Sequence, residues 1–368
     1  MSWLEGQPYE SSQAIRLRRS KGRSMPTAPA AVWSRLRTTR AAPPGRAAAP
    51  GDRRRTYAAA MQQFEELMQA AEQIGAAARP LPLFYALSQA GRAVAAAHAY
   101  EPWQLRGHGL QLKDEGQPLL NREISPAGKS DASFRRVAQT VGSDVLEQSV
   151  TISALCASLP ELAVVPELCG GNPRALYVKP IVQSGGAVLV MSRKVDAYVV
   201  NFPGDLGVAT DPAAAVGEHL LRYPSAAGWA VPEHLRLFPP ADNWGSAAVL
   251  RWQVAEDVQS PNEPDRQARM MEVAPQYRHS DRQWCRPAVA PGKVLSPLMT
   301  WWGLLYALSM VARYEPDAWV DLLDVDESEL TVPLEGVLED ALEVVPHLVL
   351  DALQATPFLL RPVSQYEG

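Results

Sequence analysis

Residues 79–98 read RPLPLFYALSQAGRAVAAAH, and this stretch decides the fold. Its first four residues, which include two prolines, restart the chain before the helix. The residues that follow are apolar on nearly every side, which is typical of a helix buried in a protein core. The sequence therefore predicts a buried helix from Leu83 to about Ala99.

One phrase of this helix occurs twice in the chain. The tetrapeptide Tyr-Ala-Leu-Ser at residues 85–88, followed by an arginine four positions later, recurs at residues 306–309. Positions i, i+3 and i+7 share one face of a helix, so each phrase places a polar stripe on an apolar helix. The stripes contain Tyr85, Ser88, Arg92, Tyr306, Ser309 and Arg313.

The burial expected for these stripes constrains their arginines. A buried charge needs a partner, because an unpaired charge in a core is costly. We therefore expect the two helices to pack together, with Arg92 and Arg313 held by carboxylates or by helix-end carbonyl groups. The candidate ligand-binding residues of the stripes are Tyr85, Ser88, Tyr306, Ser309 and Arg313, and Arg92 is a candidate catalytic residue. The alternatives are a purely structural polar network, or chance repetition of a short phrase.

The pattern along the chain predicts an α+β protein, mainly α. Residues 1–50 are expected to be a flexible basic arm, and residues 51–101 an N-terminal helical segment that begins near Asp52. Residues 102–290 form a central mixed part with short β-strands, and residues 291–356 form a C-terminal helical segment. The two helical segments are expected to pack together around the central β-containing insertion.

Smaller elements of the central part are predicted from hydrophobic period and turn residues. The predicted helices are 133–140, 144–159 with Asp144 as a candidate N-cap, and 212–221. The predicted strands are 104–113, 119–124, 175–182, 187–193, 197–202 and 247–254, with a hairpin turn at Gly185 and Gly186.

Positive charge is concentrated at the beginning of the chain. Residues 1–55 hold twelve Lys and Arg against three acidic residues, although the whole chain carries a net charge of −5. A basic arm of this kind is suited to contact with RNA or with an acidic partner. The alternatives are a solvated tail and a start codon assigned too early. The arm residues concerned are Arg16, Arg18, Arg19, Lys21 and Arg23.

The cysteine content favours a cytoplasmic protein. Cys156, Cys169 and Cys285 are an odd number at wide spacing, without a C-x-x-C pair. The first residues lack an apolar signal stretch. Residues 294–312 are uncharged, but they include a proline and several polar residues, and we expect a buried helix there instead of a membrane span.

Several reaction classes have no support in the sequence. It contains no phosphate loop, no G-x-G-x-x-G after a strand, no H-E-x-x-H and no G-x-S-x-G. Residues 314–360 hold twelve acidic residues without Lys or Arg, but they lack the spacing of a calcium loop. A solvated helix face is expected there, and neither a metal nor a cofactor is predicted.

A second candidate site is the Arg-Gly-His-Gly turn at residues 106–109. Glycine leaves the backbone free to approach a ligand. Arg106 and His108 have the chemistry to bind phosphate or carboxylate. The alternative is a tight turn that needs its glycines for geometry alone.

Five stretches carry a resemblance to a known family. They are RRRxY at 53–57, QQFE at 62–65, RPLPLFYALSQAGR at 79–92, GHGL at 107–110 and LSMxARYxPxxW at 308–319. In these stretches, and over about residues 31–355, the chain resembles the YaaC-like family of bacterial proteins. The resemblance implies a bacterial, cytoplasmic protein and no settled activity.

The arginine of the first stripe also suggests a ribonuclease. Arg92 and His98 are separated by five residues, which resembles the Arg-x4-6-His motif of HEPN-type helical domains. That resemblance implies metal-independent RNA cleavage, as in a toxin or antiphage effector. Arg92 would stabilise the charged phosphate and His98 would move the 2′-hydroxyl proton. On a continuous helix, however, positions i and i+6 point about 120° apart.

The sequence thus favours a binding or interaction module, with the ribonuclease as the alternative, and leaves open whether the protein is an enzyme. A homodimer is a further expectation. The ribonuclease hypothesis requires Arg92 and His98 to share a cleft open to solvent. The module hypothesis places Arg92 in a closed, buried network.

Overall fold

A computed structural model describes residues 30–129, 132–180, 194–226, 229–233, 235, 237–239, 245–253 and 283–354. The α-helices there are α1 (Ala30–Ala41), α2 (Asp52–Gln73), α3 (Pro80–His98), α4 (Ser133–Thr140), α5 (Ile152–Ser158), α6 (Pro166–Cys169), α7 (Pro212–Leu220), α8 (Pro297–Tyr314), α9 (Pro316–Asp321) and α10 (Thr331–Gln354). The strands are β1 (Leu110–Leu112), β2 (Glu123–Pro126), β3 (Val150–Thr151), β4 (Leu176–Pro180), β5 (Lys194–Phe202), β6 (Trp229–Ala230), β7 (Leu237–Phe238), β8 (Ser246–Gln253) and β9 (Gln283–Cys285).

Helices α3 and α8, which carry the two repeated phrases, pack against each other in the core. The rings of Phe84 and Tyr306 meet edge to face, with 5.4 Å between their centroids. Further along α3, Gly91 lies against Trp302, which comes earlier in α8. The two helices therefore run antiparallel, and the expectation that the helical segments pack together is confirmed.

The closest approach of the two helices depends on one glycine. A Cβ atom placed on Gly91 would lie 2.4 Å from two carbon atoms of the Trp302 ring. Trp302 is 1% exposed, so its ring is enclosed by protein. Protein interiors are close-packed and have no spare volume for an extra methyl group. Glycine at position 91 is thus what allows the tryptophan to lie across α3.

Other helices cover the remaining sides of α3. Helices α2, α4 and α10 all pack against it. Helix α2 turns its apolar stripe toward the core, as its three- and four-residue spacing predicts. The buried aromatic and methionine members of that stripe are Tyr57, Met61, Phe64 and Met68. The α+β class, mainly α, is confirmed.

Arginine side chains close the C-terminal ends of two helices. Arg53 donates to the carbonyl oxygens of Ala96 and Ala99, both at 3.0 Å, at the end of α3. Arg79 donates to Ala71 at 3.0 Å and to Ile74, at the end of α2. The last carbonyl groups of a helix have no partner within the helix, and cations stabilise that end.

Two antiparallel sheets lie in the central part of the described chain. The first has strand order β1-β2-β3 and packs on the helical core. The second has strand order β6-β8-β5-β4-β9, with β7 also paired to β8. Its inner face and α7 form a separate apolar cluster that includes Leu176, Val199, Phe202, Val216 and Leu250.

One predicted helix is shorter than expected. The sequence pattern predicts a helix over 144–159 with Asp144 as N-cap, but the helix there is α5, and Thr151 is its N-cap. Asp144 instead accepts a hydrogen bond from the backbone N–H of Val294, at 2.8 Å. A contact between residues 150 positions apart has replaced the local cap.

The first residues described also differ from expectation. Composition predicts a flexible arm over residues 1–50, yet Ala30–Ala41 form α1. Trp33 of α1 packs on Phe64 of α2 with 5.5 Å between ring centroids, and Leu36 is buried. The arm cations at residues 16–23 and the predicted strand at 187–193 lie outside the described residues. Among those described, no helix is long and apolar enough to cross a membrane.

We predict that Gly91→Ala lowers the free energy of unfolding by about 1–3 kcal/mol, because the added methyl group overpacks the Trp302 contact. Gly336→Ala is the matched control. Gly336 lies within α10, and a Cβ there meets nothing within 4 Å. This control should raise stability by about 0.5–1 kcal/mol through helix propensity. Urea denaturation measures both, and equal effects would contradict the close packing.

Candidate functional site

The antiparallel packing joins the tyrosine of the first repeat to the arginine of the second. Arg313 Nη1 donates a hydrogen bond to the hydroxyl of Tyr85 at 3.2 Å. The same guanidinium lies over the ring of Tyr314, 5.0 Å from its centroid. Arg313 stands in the last turn of α8, where the helix dipole favours a cation.

The glycine turn holds His108 beside these two helices. Gly107 and Gly109 have φ values of +58° and +83°, a region that favours glycine. His108 packs on Phe84 and on Tyr306, with 5.4 Å and 6.1 Å between ring centroids. The turn is therefore a fixed support that presents an imidazole to the α3–α8 pair.

Backbone hydrogen bonds secure this turn on both sides. The carbonyl of His108 accepts from Phe134 N at 3.1 Å, and that of Gly109 accepts from Ala127 N at 3.0 Å. The Tyr306 hydroxyl donates to the carbonyl of Leu110 at 2.8 Å. The tyrosine of the second repeat thus ties the turn to α8.

The arginines of both repeats lower the pKa of His108. Partial burial lowers the pKa of this imidazole, and the positive charges of Arg92 and Arg313 lower it further. Two like charges close to the ring disfavour its protonated form. His108 is therefore neutral at pH 7. We call Arg92, His108 and Arg313, together with Tyr85, the Arg–His cluster.

In the part of the chain that the structure describes, no carboxylate pairs with an arginine of the Arg–His cluster. Among the described residues, Arg92 makes no hydrogen bond or ion pair, and Arg313 forms no ion pair. Glu315, two positions after Arg313, is bound by Arg122 instead, at 2.6 Å and 2.8 Å. Arg122 holds the pKa of Glu315 below its usual value. The cluster therefore presents uncompensated positive charge.

The two polar stripes do not form one closed network. Ser88 and Ser309 are buried, and Ser309 donates to the carbonyl of Tyr306 at 2.7 Å. Arg92 and Arg313, in contrast, are exposed, which differs from the expected burial. The serines face the helix interface, and the long arginine side chains reach solvent. Arg106 is exposed, and its backbone bridges to Ala132.

His98 is placed away from the Arg–His cluster. It is 8% exposed, and its Nε2 lies 3.0 Å from the carbonyl oxygen of Leu353 in α10. Burial lowers the pKa of His98. Because Arg92 is exposed and His98 is enclosed against α10, the structure does not bring these two side chains into one cleft open to solvent.

The cysteine side chains are buried, which makes their thiols unreactive. The three cysteines are free, and burial raises the thiol pKa of Cys285 to about 11 and that of Cys169 to about 12. Such thiols stay protonated near neutral pH and are weak nucleophiles. Within the described part of the chain, no group of three His, Cys, Asp or Glu side chains could hold a metal ion.

The sequence pattern did not indicate two aromatic residues of the candidate site. Phe84 supports His108, and Tyr314 is 61% exposed beside Arg313. Each stands next to a residue of the repeated phrase, before Tyr85 and after Arg313 respectively. That adjacency is the signal that could have indicated them.

Comparison with known proteins places the chain in a family. A profile of the family described as YaaC-like Protein matches residues 34–353, and the chain belongs to this family. No curated protein and no solved structure matches it.

We predict that the pKa of His108 lies below the ordinary value of about 6.5. It should rise in Arg92→Gln and in Arg313→Gln, because each change removes one nearby positive charge. Titration of the imidazole by NMR measures both effects. An unchanged pKa in either variant would show that the corresponding arginine does not face the ring.

Proposed function

We propose that this member of the YaaC-like family is a binding module for a phosphate-type anion, held by Arg92, His108 and Arg313. One observation carries the proposal: the packing of the two repeats sets Arg313 against Tyr85 and His108 against Phe84 and Tyr306. The positive charges of Arg92 and Arg313 both lower the pKa of that histidine. No carboxylate of the described residues pairs with either arginine. Exposed positive charge gathered in this way suits an anionic ligand.

The chemistry of each group fits that role. A guanidinium presents parallel N–H donors that match two phosphate oxygens. The imidazole of His108 adds one donor when neutral and a further positive charge when protonated. Tyr85 accepts from Arg313 and so restrains its guanidinium. Restraint of a long side chain before binding lowers the entropy cost of binding.

We also propose a cytoplasmic location, which the free, buried cysteines support. The homodimer stays a prediction. Metal-independent RNA cleavage by Arg92 and His98 stays the alternative function, although the enclosed position of His98 against Leu353 does not favour it.

We predict that sulfate and inorganic phosphate bind saturably and shift the NMR signals of His108. Arg92→Gln and Arg313→Gln should each weaken binding about tenfold, since hydrogen bonds to charged groups contribute about 1.5–3 kcal/mol. Arg55→Gln is the matched control. Arg55 is an exposed arginine that pairs with Asp52 on α2. Equal affinity for these anions in the unaltered chain and in the three variants would refute the proposed site.

The affinity for sulfate should also depend on pH. Sulfate keeps its charge between pH 5 and 8, whereas His108 gains a proton as the pH falls through its lowered pKa. A bound anion favours the protonated imidazole, so binding takes up protons and becomes tighter as the pH falls toward the lowered pKa of His108. Calorimetry at several pH values measures this. His108→Gln should remove the dependence, and a dependence that persists in that variant would assign it elsewhere.

A further inference from the structure

A second basic surface lies next to the glycine turn. It is a cleft of about 260 Å³ that carries two cationic side chains, Lys129 and Arg135, and its lining within the described part of the chain includes no acidic residue. Its floor and walls are formed by small or apolar residues, among them Gly109, Gly128, Phe134 and Leu146. A cleft with this lining favours negatively charged groups.

The cleft and the Arg–His cluster share the same turn. Gly109 lines the cleft, and the preceding residue, His108, belongs to the cluster. The carbonyl of His108 accepts from Phe134 N at 3.1 Å, and Phe134 precedes Arg135. The two cationic regions therefore adjoin the same backbone turn. A ligand with several negative charges could contact both.

Exposed aromatic rings accompany the positive charge. Tyr314 is 61% exposed and Tyr85 is 38% exposed, and both contact Arg313. Aromatic side chains beside a cationic track are the arrangement on which unpaired nucleobases stack. A simple inorganic anion would make no use of these rings.

Negative charge near Tyr314 restricts the path that a polyanionic ligand can take. On the side that follows Tyr314 in the chain, α9 presents the exposed carboxylates of Asp317 and Asp321. These carboxylates repel a phosphate backbone. A polyanion with one base on Tyr314 is thus directed away from α9.

We propose that the ligand of this protein is a single-stranded nucleic acid. One phosphate binds the Arg–His cluster, an unpaired base stacks on Tyr314, and the neighbouring phosphates enter the cleft of Lys129 and Arg135. This inference rests on the proposed anion-binding function and specifies its ligand. It uses the exposed rings and the second basic cleft, which a single phosphate leaves unexplained.

The test is fluorescence anisotropy of the full chain with a labelled single-stranded oligodeoxythymidine of about 12 nucleotides, a length in the range of known binding sites. DNA lacks the 2′-hydroxyl, so binding is read without cleavage. Lys129→Gln/Arg135→Gln should weaken binding and reduce the slope of log affinity against log salt by about 1.4, since each phosphate contact contributes about 0.7. Tyr314→Leu should weaken it at least about fivefold.

Measurements of sulfate binding distinguish a failure of nucleic-acid binding from a failure of anion binding at the Arg–His cluster. The cleft variant, whose changed residues lie outside the Arg–His cluster, should bind sulfate like the unaltered chain, which also shows that it is folded. If the cleft variant and Tyr314→Leu keep full oligonucleotide affinity, the nucleic-acid inference is wrong, while sulfate binding that still requires Arg92 and Arg313 upholds the proposed function. If Arg92→Gln and Arg313→Gln bind sulfate normally, the proposed function fails.

The basic arm needs its own control. A variant with Gln at Arg16, Arg18, Arg19, Lys21 and Arg23 removes the arm charge and leaves the cleft intact. It should retain the dependence of oligonucleotide binding on Lys129, Arg135 and Tyr314. Loss of all oligonucleotide binding in the arm variant, without an effect of the cleft variant, would assign the binding to the arm and overturn the inference.

Discussion

The contact between Gly91 and Trp302 is the constraint on which the rest of the structure depends. It brings α3 and α8 together at one glycine, although the two helices come from opposite ends of the chain. Their antiparallel direction decides which residues of the two repeats become neighbours. The surrounding helices α2, α4 and α10 then pack on α3, and the first sheet packs on the same core.

The same packing produces the candidate site. An antiparallel pair places the start of one repeat beside the end of the other, so Tyr85 meets Arg313. The glycine turn places His108 beside the two helices, where its ring packs on Phe84 and Tyr306. Other arginines have a structural task, as Arg53 and Arg79 do at helix ends. Arg92 and Arg313, in contrast, are exposed, and no carboxylate of the described residues pairs with them.

Much of the fold could be predicted from local patterns. The period of α2 and the apolar character of α3 and α8 follow from side-chain spacing, because helix faces repeat every three to four residues. The helix expected to have Asp144 as its N-cap has Thr151 as its N-cap instead. The Asp144 carboxylate accepts a hydrogen bond from the backbone N–H of Val294. A partner 150 positions away leaves no local signal.

The sequence by itself determined the mainly helical class, the two repeated phrases and the flexible geometry of the glycine turn. It also indicated Arg92 as a candidate catalytic residue, and His108 and Arg313 as candidate ligand-binding residues. Only the tertiary structure decided that the charges of Arg92 and Arg313 both lower the pKa of His108, while His98 is enclosed against Leu353. Spacing along a helix fixes which face a side chain occupies. Whether that face meets solvent or another helix depends on packing across hundreds of residues.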